Sequence, residues 1–156
     1  DNPLVVLASA DHPLSREKKI SIERICDEPF IMREPGSGTR MATERFFLEH
    51  SHKLKVRMEL GSNEAIKQAI VGRLGIAVLS RHTLALDAPM GQLATLDVEG
   101  FPIERHWYFA YPSGKQLSIV AQTFLEYLRQ ASDYLDDLSC RHAISGHCPL
   151  LKDGQH

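Results

Sequence analysis

Two short hydroxyl-rich turns carry the residue types in this sequence that could bind a ligand. Residues 33–40 read Arg-Glu-Pro-Gly-Ser-Gly-Thr-Arg, and residues 60–64 read Leu-Gly-Ser-Asn-Glu. Each turn follows a short apolar run and opens a helical pattern, so each predicts a helix N-terminus with free backbone N–H groups. Those groups and the positive end of the helix dipole favour a carboxylate, phosphate or sulfate. The pattern indicates a protein that holds a small anion and does not by itself indicate catalysis.

The predicted anion-binding residues are the donors of these two turns: Ser37, Gly38, Thr39, Arg40, Ser62 and Asn63. An alternative interpretation is that the serine hydroxyls only cap the helices, which needs no ligand. Glu64 would repel an anion, so we expect it to serve the helix dipole instead. Arg33 and Arg40 could pair with an anion in bidentate fashion, although for Arg33 we favour a solvated surface charge.

The sequence gives weaker indications of a metal site or of a catalytic serine. Cys140, His142, His147 and Cys148 form a C-x-H-x4-H-C pattern, but the spacing fits no closed zinc site and the tail lacks apolar support. Ser37 lies at a strand–turn–helix junction without the G-x-S-x-G spacing of a nucleophile elbow. We therefore predict no catalytic residue, no metal site and no cofactor.

Composition restricts the class of protein. The chain has 156 residues, enough for one domain, and a formal net charge of −2, which argues against nucleic-acid binding by this chain alone. No apolar run approaches the ~20 residues of a membrane helix. Three cysteines do not make a disulfide framework and favour a reducing compartment, so we expect a cytoplasmic location. The start at Asp1 without methionine suggests an excised fragment.

Apolar periodicity and turn residues predict the elements that must position the two turns. The predicted strands are 4–8, 30–32, 56–60, 76–79, 93–98 and 103–111. The predicted helices are 22–26, 39–50, one from Ser62 to Gly75, 82–86, and a long amphipathic helix that starts at Ser118. Strands alternate with helices, which predicts an α/β fold with a mostly parallel sheet flanked by helices. In such sheets, ligands lie beyond the carboxyl ends of the strands, where both turns fall.

The order of these features resembles the effector-binding domain of LysR-type transcriptional regulators. The resemblance runs from about Leu4 to Gln130 and is carried by three segments: Val-Val-Leu-Ala-Ser-Ala-Asp-His-Pro-Leu at 5–14, Gly-Ser-Gly-Thr-Arg at 36–40, and Gly-Arg-Leu-Gly-Ile-Ala-Val-Leu-Ser at 72–80. The wording of 33–40 and 61–69 is similar to regulators of RuBisCO operons.

The resemblance implies a Rossmann-like subdomain of a periplasmic-binding-protein-like (type 2) fold, with the other subdomain largely missing. It assigns residues 1–112 to the second regulatory subdomain with both crossover strands and 113–138 to a C-terminal amphipathic helix. We expect residues 139–156 to be a disordered tail.

The function that the resemblance implies is sensing of a small anionic metabolite, such as a sugar phosphate or a nucleotide, to control transcription by the intact protein. Promoter DNA would be bound only through an absent N-terminal domain. The helix stripe Ala121, Phe124, Leu125 and Leu128 predicts a homo-oligomer, most simply a dimer. The alternative is a solute-binding protein of the periplasmic two-lobed type, whose fold is similar.

Overall fold

The computed structural model describes residues 1–84, 91–108, 110–114 and 116–141, with the backbone alone for 132–141. The chain divides into two compact units, Asp1–His106 and a second that begins at Trp107. The described strands are β1 (Leu4–Ser9), β2 (Pro29–Arg33), β3 (Lys55–Leu60), β4 (Ala77–Ser80) and β5 (Leu93–Thr95). The described α-helices are α1 (Ile22–Cys26), α2 (Gly38–Glu49), α3 (Asn63–Val71) and α4 (Ile119–Arg141), and short 3-10 helices span Pro13–Arg16 and Arg81–Leu84.

The α/β class is confirmed, but the described strands form two sheets, a three-stranded antiparallel sheet in the order β4-β1-β5 and a two-stranded parallel sheet of β2 and β3. β2 and β3 pair in parallel, and β2 is joined in parallel to the start of β4 through Ile31 N to Ile76 O at 2.8 Å. β1 runs antiparallel to both β4 and β5. The parallel prediction holds for the strands joined by α2 and α3. It is wrong for β1, which pairs with β4 and β5 rather than with β2, the next strand along the chain.

The core lies on both faces of the sheet. Every residue of β1 is buried, as its continuous apolar run predicts. Alternate side chains of the strand enter different clusters: Val6 packs with Phe30 and Phe47 of the α2 side, and Leu7 packs with Ile66 of the α3 side. This two-sided burial holds α2 and α3 on opposite faces, with their first residues at the carboxyl ends of β2 and β3.

Three serines cap the helices of the first unit. Ser21 Oγ accepts from Arg24 N at 3.4 Å, Ser37 Oγ from Arg40 N at 3.5 Å, and Ser62 Oγ from Ala65 N at 3.5 Å. The capping interpretation is confirmed for Ser62, and Ser21 caps α1 in the same way. These contacts are local, because each joins a side chain to the backbone three residues later.

Some predicted boundaries are wrong. β3 begins at Lys55, one residue before the predicted start, and of its apolar residues Met58 and Leu60 are half-buried while Val56 is exposed. The predicted strand 103–111 is reduced among described residues to one bridge between Leu4 and Ile103, followed by a single backbone hydrogen bond from Asn2 N to Arg105 O. α3 ends at Val71, before the predicted stop at Gly75.

Gly75 does not end the helix but allows two backbone segments to lie close together. A Cβ on this residue would lie 2.3 Å from the backbone oxygen of Pro29. That oxygen also accepts a hydrogen bond from Ile76 N at 2.9 Å, which helps to join β2 to the start of β4. Only glycine lets the two segments come this close.

The second unit contains the predicted amphipathic helix. Ser118 Oγ accepts from Ala121 N at 3.3 Å, and α4 runs to Arg141, past the predicted end at 138. In the predicted stripe Ala121, Leu125 and Leu128 are half-buried and Phe124 is exposed. Residues 142–156, with most of the predicted tail and of the Cys/His pattern, lie outside the described residues. Among the described helices, none is both long and apolar enough to cross a bilayer.

Candidate functional site

The six predicted residues lie at one edge of the sheet. β2 and β3 are adjacent and parallel, with Arg33 opposite Leu60 in the register, so both strands end at the same edge. The chain enters α2 at Gly38 and α3 at Asn63 within a few residues of those ends. Parallel pairing therefore brings two helix N-termini side by side, which is the arrangement that the sequence predicts for an anion.

The first turn of α2 offers free donors. Ser37 is buried, its own N–H donates to Glu34 O at 3.2 Å, and its hydroxyl is used as the cap. In the part of the chain that the structure describes, the N–H groups of Gly38 and Thr39 have no acceptor. The capping interpretation of Ser37 is thus confirmed, and the groups left for a ligand are backbone N–H groups rather than this hydroxyl.

Arg33 joins the two turns. Its Nη1 donates to Asn63 Oδ1 at 2.7 Å, thirty residues away at the start of α3. Its Nε and Nη2 donate to the two carboxylate oxygens of Glu34 at 2.7 and 2.8 Å. The side chain is 19% exposed, so the interpretation of Arg33 as a solvated surface charge is wrong. The guanidinium instead fixes the α3 turn against the end of β2.

Glu34 is ionised at this position. Its hydrogen bonds from Arg33 are the main reason that the pKa of its carboxyl falls to about 2. A carboxylate so close to the α2 N-terminus is also favoured by the helix dipole. Arg33 therefore already has an anionic partner in this structure.

Arg40 ties the strand ends together. Its Nη1 donates to Arg33 O at 3.0 Å and pairs with Glu59 Oε1 at 2.7 Å, and its Nε pairs with Glu44 Oε1 at 2.7 Å. These carboxylates, Glu59 first, raise the pKa of the guanidinium. Arg40 thus joins α2 to β2 and β3, and the geometry supports a positioning role for it.

Arg105 is the functional candidate that sequence reasoning missed. Its Nη2 lies 2.5 Å from the point that a Cβ on Gly38 would occupy, so the guanidinium rests on the first residue of α2. In the described part of the chain Arg105 forms no ion pair. The positive end of a helix repels a cation, so an anion placed between them would relieve that repulsion. The available signal was Gly38 itself, since a glycine at a helix start permits close approach of another group.

Aromatic packing and two backbone contacts hold Arg105 at this place. Phe101 packs edge-on against Phe46 of α2 with ring centroids 4.7 Å apart. Ile103 N donates to Leu4 O at 2.9 Å, and Asn2 N donates to Arg105 O at 2.6 Å. The segment that carries Arg105 is therefore fixed both to the inner face of α2 and to the chain that enters β1.

Glu64 in the first turn of α3 is paired rather than free to repel a ligand. Its Oε1 lies 2.6 Å from Nζ of Lys67, a buried lysine that also donates to Thr83 O at 3.1 Å. The ammonium offsets the charge of Glu64, while the carboxylate still complements the helix dipole. This agrees with the expectation that Glu64 serves the helix.

Two helix N-termini at the carboxyl ends of adjacent parallel strands are typical of ligand-binding α/β domains. The family of this chain is shown by its sequence. Residues 1–133 match the profile of the LysR substrate binding domain. The chain belongs to this family of transcriptional regulators, as the resemblance implied. The alternative of a periplasmic solute-binding protein finds no support in this relationship.

Two individual relatives are similar to this chain over most of its length. The chain is 64% identical over 128 residues to the HTH-type transcriptional activator CmpR of Synechocystis, covering 82% of this chain and 42% of that protein. It is 58% identical over 132 residues to the RuBisCO operon transcriptional regulator of Acidithiobacillus ferrooxidans, covering 85% of this chain and 43% of that protein. The chain thus spans about two fifths of the length of these relatives, and its similarity to RuBisCO-operon regulators is confirmed.

A solved structure confirms the fold. The regulatory domain of CcmR from Synechocystis PCC6803, in complex with 2-PG, superposes with a TM-score of 0.80 at 55% identity. The match covers 83% of this chain and 62% of that one. The described part of this chain is therefore part of a LysR-type effector-binding domain, with the periplasmic-binding-protein-like fold expected from the sequence.

Proposed function

We propose that this chain is the effector-sensing part of a LysR-type transcriptional regulator and binds a small anionic metabolite where α2 and α3 begin. The observation that carries the proposal is the position of Arg105, an arginine without an ion pair in the described residues that rests on the N-terminus of α2. A cation and a helix dipole that repel each other are both stabilised by one anion.

The proposed ligand contacts follow from the donors of the site. The N–H groups of Gly38 and Thr39 donate to one anionic group, and Arg105 supplies charge to the same group. Ser62 and Asn63 present the start of α3, which Arg33 holds beside it. Ser37 and Arg40 keep the first turn of α2 in shape, so all six predicted residues take part either in binding or in positioning.

The proposed effector class is a small phosphorylated carboxylate. The complex of the CcmR domain with 2-PG, 2-phosphoglycolate, supports it, because that domain is 55% identical to this chain over the matched region. Such a molecule has two anionic ends, which matches two helix N-termini at one edge. Sugar phosphates and nucleotides also carry a phosphate group, and they belong to the wider class of small anionic metabolites.

For the intact protein we propose control of a carbon-fixation operon, which the name of the Acidithiobacillus ferrooxidans relative supports. Promoter DNA would bind through a region outside this chain, and the chain itself would neither turn over a substrate nor carry a cofactor. We retain residues 1–112 as a second regulatory subdomain, 113–138 as the helix of a homo-oligomer, and a cytoplasmic location as parts of this proposal.

Calorimetric titration of the 156-residue chain with 2-phosphoglycolate tests the proposal. Arg105→Gln should weaken binding by about 10- to 100-fold, the value of one charge-assisted hydrogen bond of roughly 1.5–3 kcal/mol. Arg45→Gln is the matched control, because Arg45 is 81% exposed and pairs only with Glu49 among the described residues. Equal affinity of both variants and the wild type would move the site elsewhere.

A further inference from the structure

The ion pair between Arg33 and Glu34 differs from the other arginine–glutamate pairs of the first unit. Arg40–Glu44 and Arg45–Glu49 join residues four apart along α2 through a single close contact each. Arg24–Glu28 and Arg40–Glu59 are also single contacts. Glu34 instead follows Arg33 directly and fills its Nε–Nη2 edge with both carboxylate oxygens at 2.7 and 2.8 Å. That edge is one of the two on which a guanidinium binds a planar or tetrahedral oxyanion in bidentate fashion.

The two partners of this pair are held very differently. Arg33 is 19% exposed and its Nη1 is fixed by Asn63 Oδ1 at 2.7 Å. Glu34 is 42% exposed and lies at the start of the turn that Pro35 and Gly36 form before α2. When the pair opens, the carboxylate can therefore swing into solvent while the guanidinium stays between the two helix N-termini.

We propose that Glu34 is a built-in competitor of the effector: its carboxylate occupies Arg33 in the ligand-free protein, and the anionic group of the effector takes that place on binding. This inference rests on the proposed function and concerns how the same site is regulated. Because Arg33 exchanges one oxyanion for another, its half-buried charge is never left unpaired. Glu34 thereby raises the effector concentration at which the site fills, without contacting the bound molecule.

The competitor is present at every physiological pH. The depressed pKa of Glu34, about 2, keeps the carboxylate ionised far below neutrality. Among the described residues, Arg33 is the charged partner of the Glu34 carboxylate, and a backbone hydrogen bond at Glu34 lowers the pKa further. The threshold that Glu34 sets is therefore constant across neutral pH.

The test is a titration of the 156-residue chain with inorganic phosphate and with 2-phosphoglycolate, followed by nitrogen-15 NMR. The backbone amides of Gly38 and Thr39 report on the proposed site, and the Nε–H of Arg33 reports on the exchange of partners. Glu34→Gln should bind roughly tenfold more tightly than the wild type, the size expected for removal of one charged competitor. Glu34→Ala should do the same, and it covers the case in which a glutamine amide still holds Arg33.

Glu49→Gln is the matched control, since Glu49 is 57% exposed and pairs with Arg45 at the far end of α2. It removes the same charge and should change affinity by less than about twofold. The expected result is that Glu34→Gln and Glu34→Ala bind the anion more tightly and Glu49→Gln does not. The NMR signal of the Arg33 Nε–H should also shift when the anion binds.

Two other outcomes are distinguishable. Shifts of the Gly38 and Thr39 amides with equal or weaker binding by both Glu34 variants would overturn the competitor and leave the proposed site intact. No shift at those amides or at Arg33 in any variant would overturn the site and the competitor together.

Discussion

Gly38→Ala should separate ligand binding from stability. A Cβ at Gly38 would lie 2.5 Å from Nη2 of Arg105, closer than real contacts allow. The obstacle is the far end of a flexible side chain, so Arg105 can swing away while the backbone of α2 stays in place. The substitution therefore removes Arg105 from the N-terminus of α2 without a rigid clash.

Gly38→Ala should change stability and anion affinity in opposite directions. Alanine restricts the unfolded chain more than glycine does, which stabilises the fold by about 0.4–1 kcal/mol where the backbone is compatible. Gly38 has no left-handed φ, so the site is compatible. Anion affinity should fall by about 10- to 100-fold, because the contact of Arg105 is lost. A variant that is as stable as the wild type or more so, yet binds poorly, is the expected result.

A double-mutant cycle shows whether the change acts through Arg105. Urea unfolding gives the free energy of unfolding, and calorimetric titration with 2-phosphoglycolate gives the affinity of wild type, Gly38→Ala, Arg105→Gln and the double variant. If Gly38→Ala works by displacing Arg105, it should have no further effect on affinity in the Arg105→Gln background. An equal loss in both backgrounds, or unchanged affinity of Gly38→Ala alone, would refute this reasoning.

Three further predictions concern backbone packing, pH dependence and oligomeric state. Gly75→Ala should lower the free energy of unfolding, measured in urea, by about 2–4 kcal/mol. The added Cβ would lie 2.3 Å from the backbone oxygen of Pro29, which cannot move aside as a side chain can. A loss of less than about 1 kcal/mol would contradict this prediction. The pair with Arg33 depresses the pKa of Glu34 from 4.5 to about 2, so its contribution to stability is present above pH 4.5 and lost as pH falls towards 2. In acid unfolding, the free energy of unfolding of Glu34→Gln should therefore approach that of the wild type at the low end of this pH range. A difference in stability that stays constant with pH would count against the ion pair. Phe124 is 58% exposed on α4, so we expect a dimer through this helix that Phe124→Asp disrupts in sedimentation, and a wild type that stays monomeric at high concentration would argue against it.

Local chemistry was readable from the sequence because its partners are a few residues apart. Ser21 and Ser62 cap helices by accepting from backbone N–H groups three residues later, and any chain with that local pattern can form them. The apolar run of β1 predicts burial on both faces without knowledge of its neighbours. The family resemblance rests on short segments of the same kind, and residues 1–133 match the family.

The direction of β1 and the end of the predicted strand 103–111 depended on the fold. A strand's direction is set by its neighbours, and β1 pairs with β4 and β5, which lie some seventy to ninety residues away. The segment after Ile103 has strand-like residues, but strand structure needs a partner with free hydrogen-bonding groups. Periodicity along one segment contains no information about whether that partner is available.

The charges of the candidate site were decided by tertiary structure alone. Arg33 reads as a surface charge in sequence, and only the parallel pairing of β2 with β3 places it against Asn63. Arg105 lies 67 residues after Gly38, and aromatic packing of Phe101 on Phe46 brings the two together. A hydrogen-bonded cap is fixed by bonds along a few residues of chain. The partner of a long, flexible arginine is fixed by the packing of the elements that carry both ends.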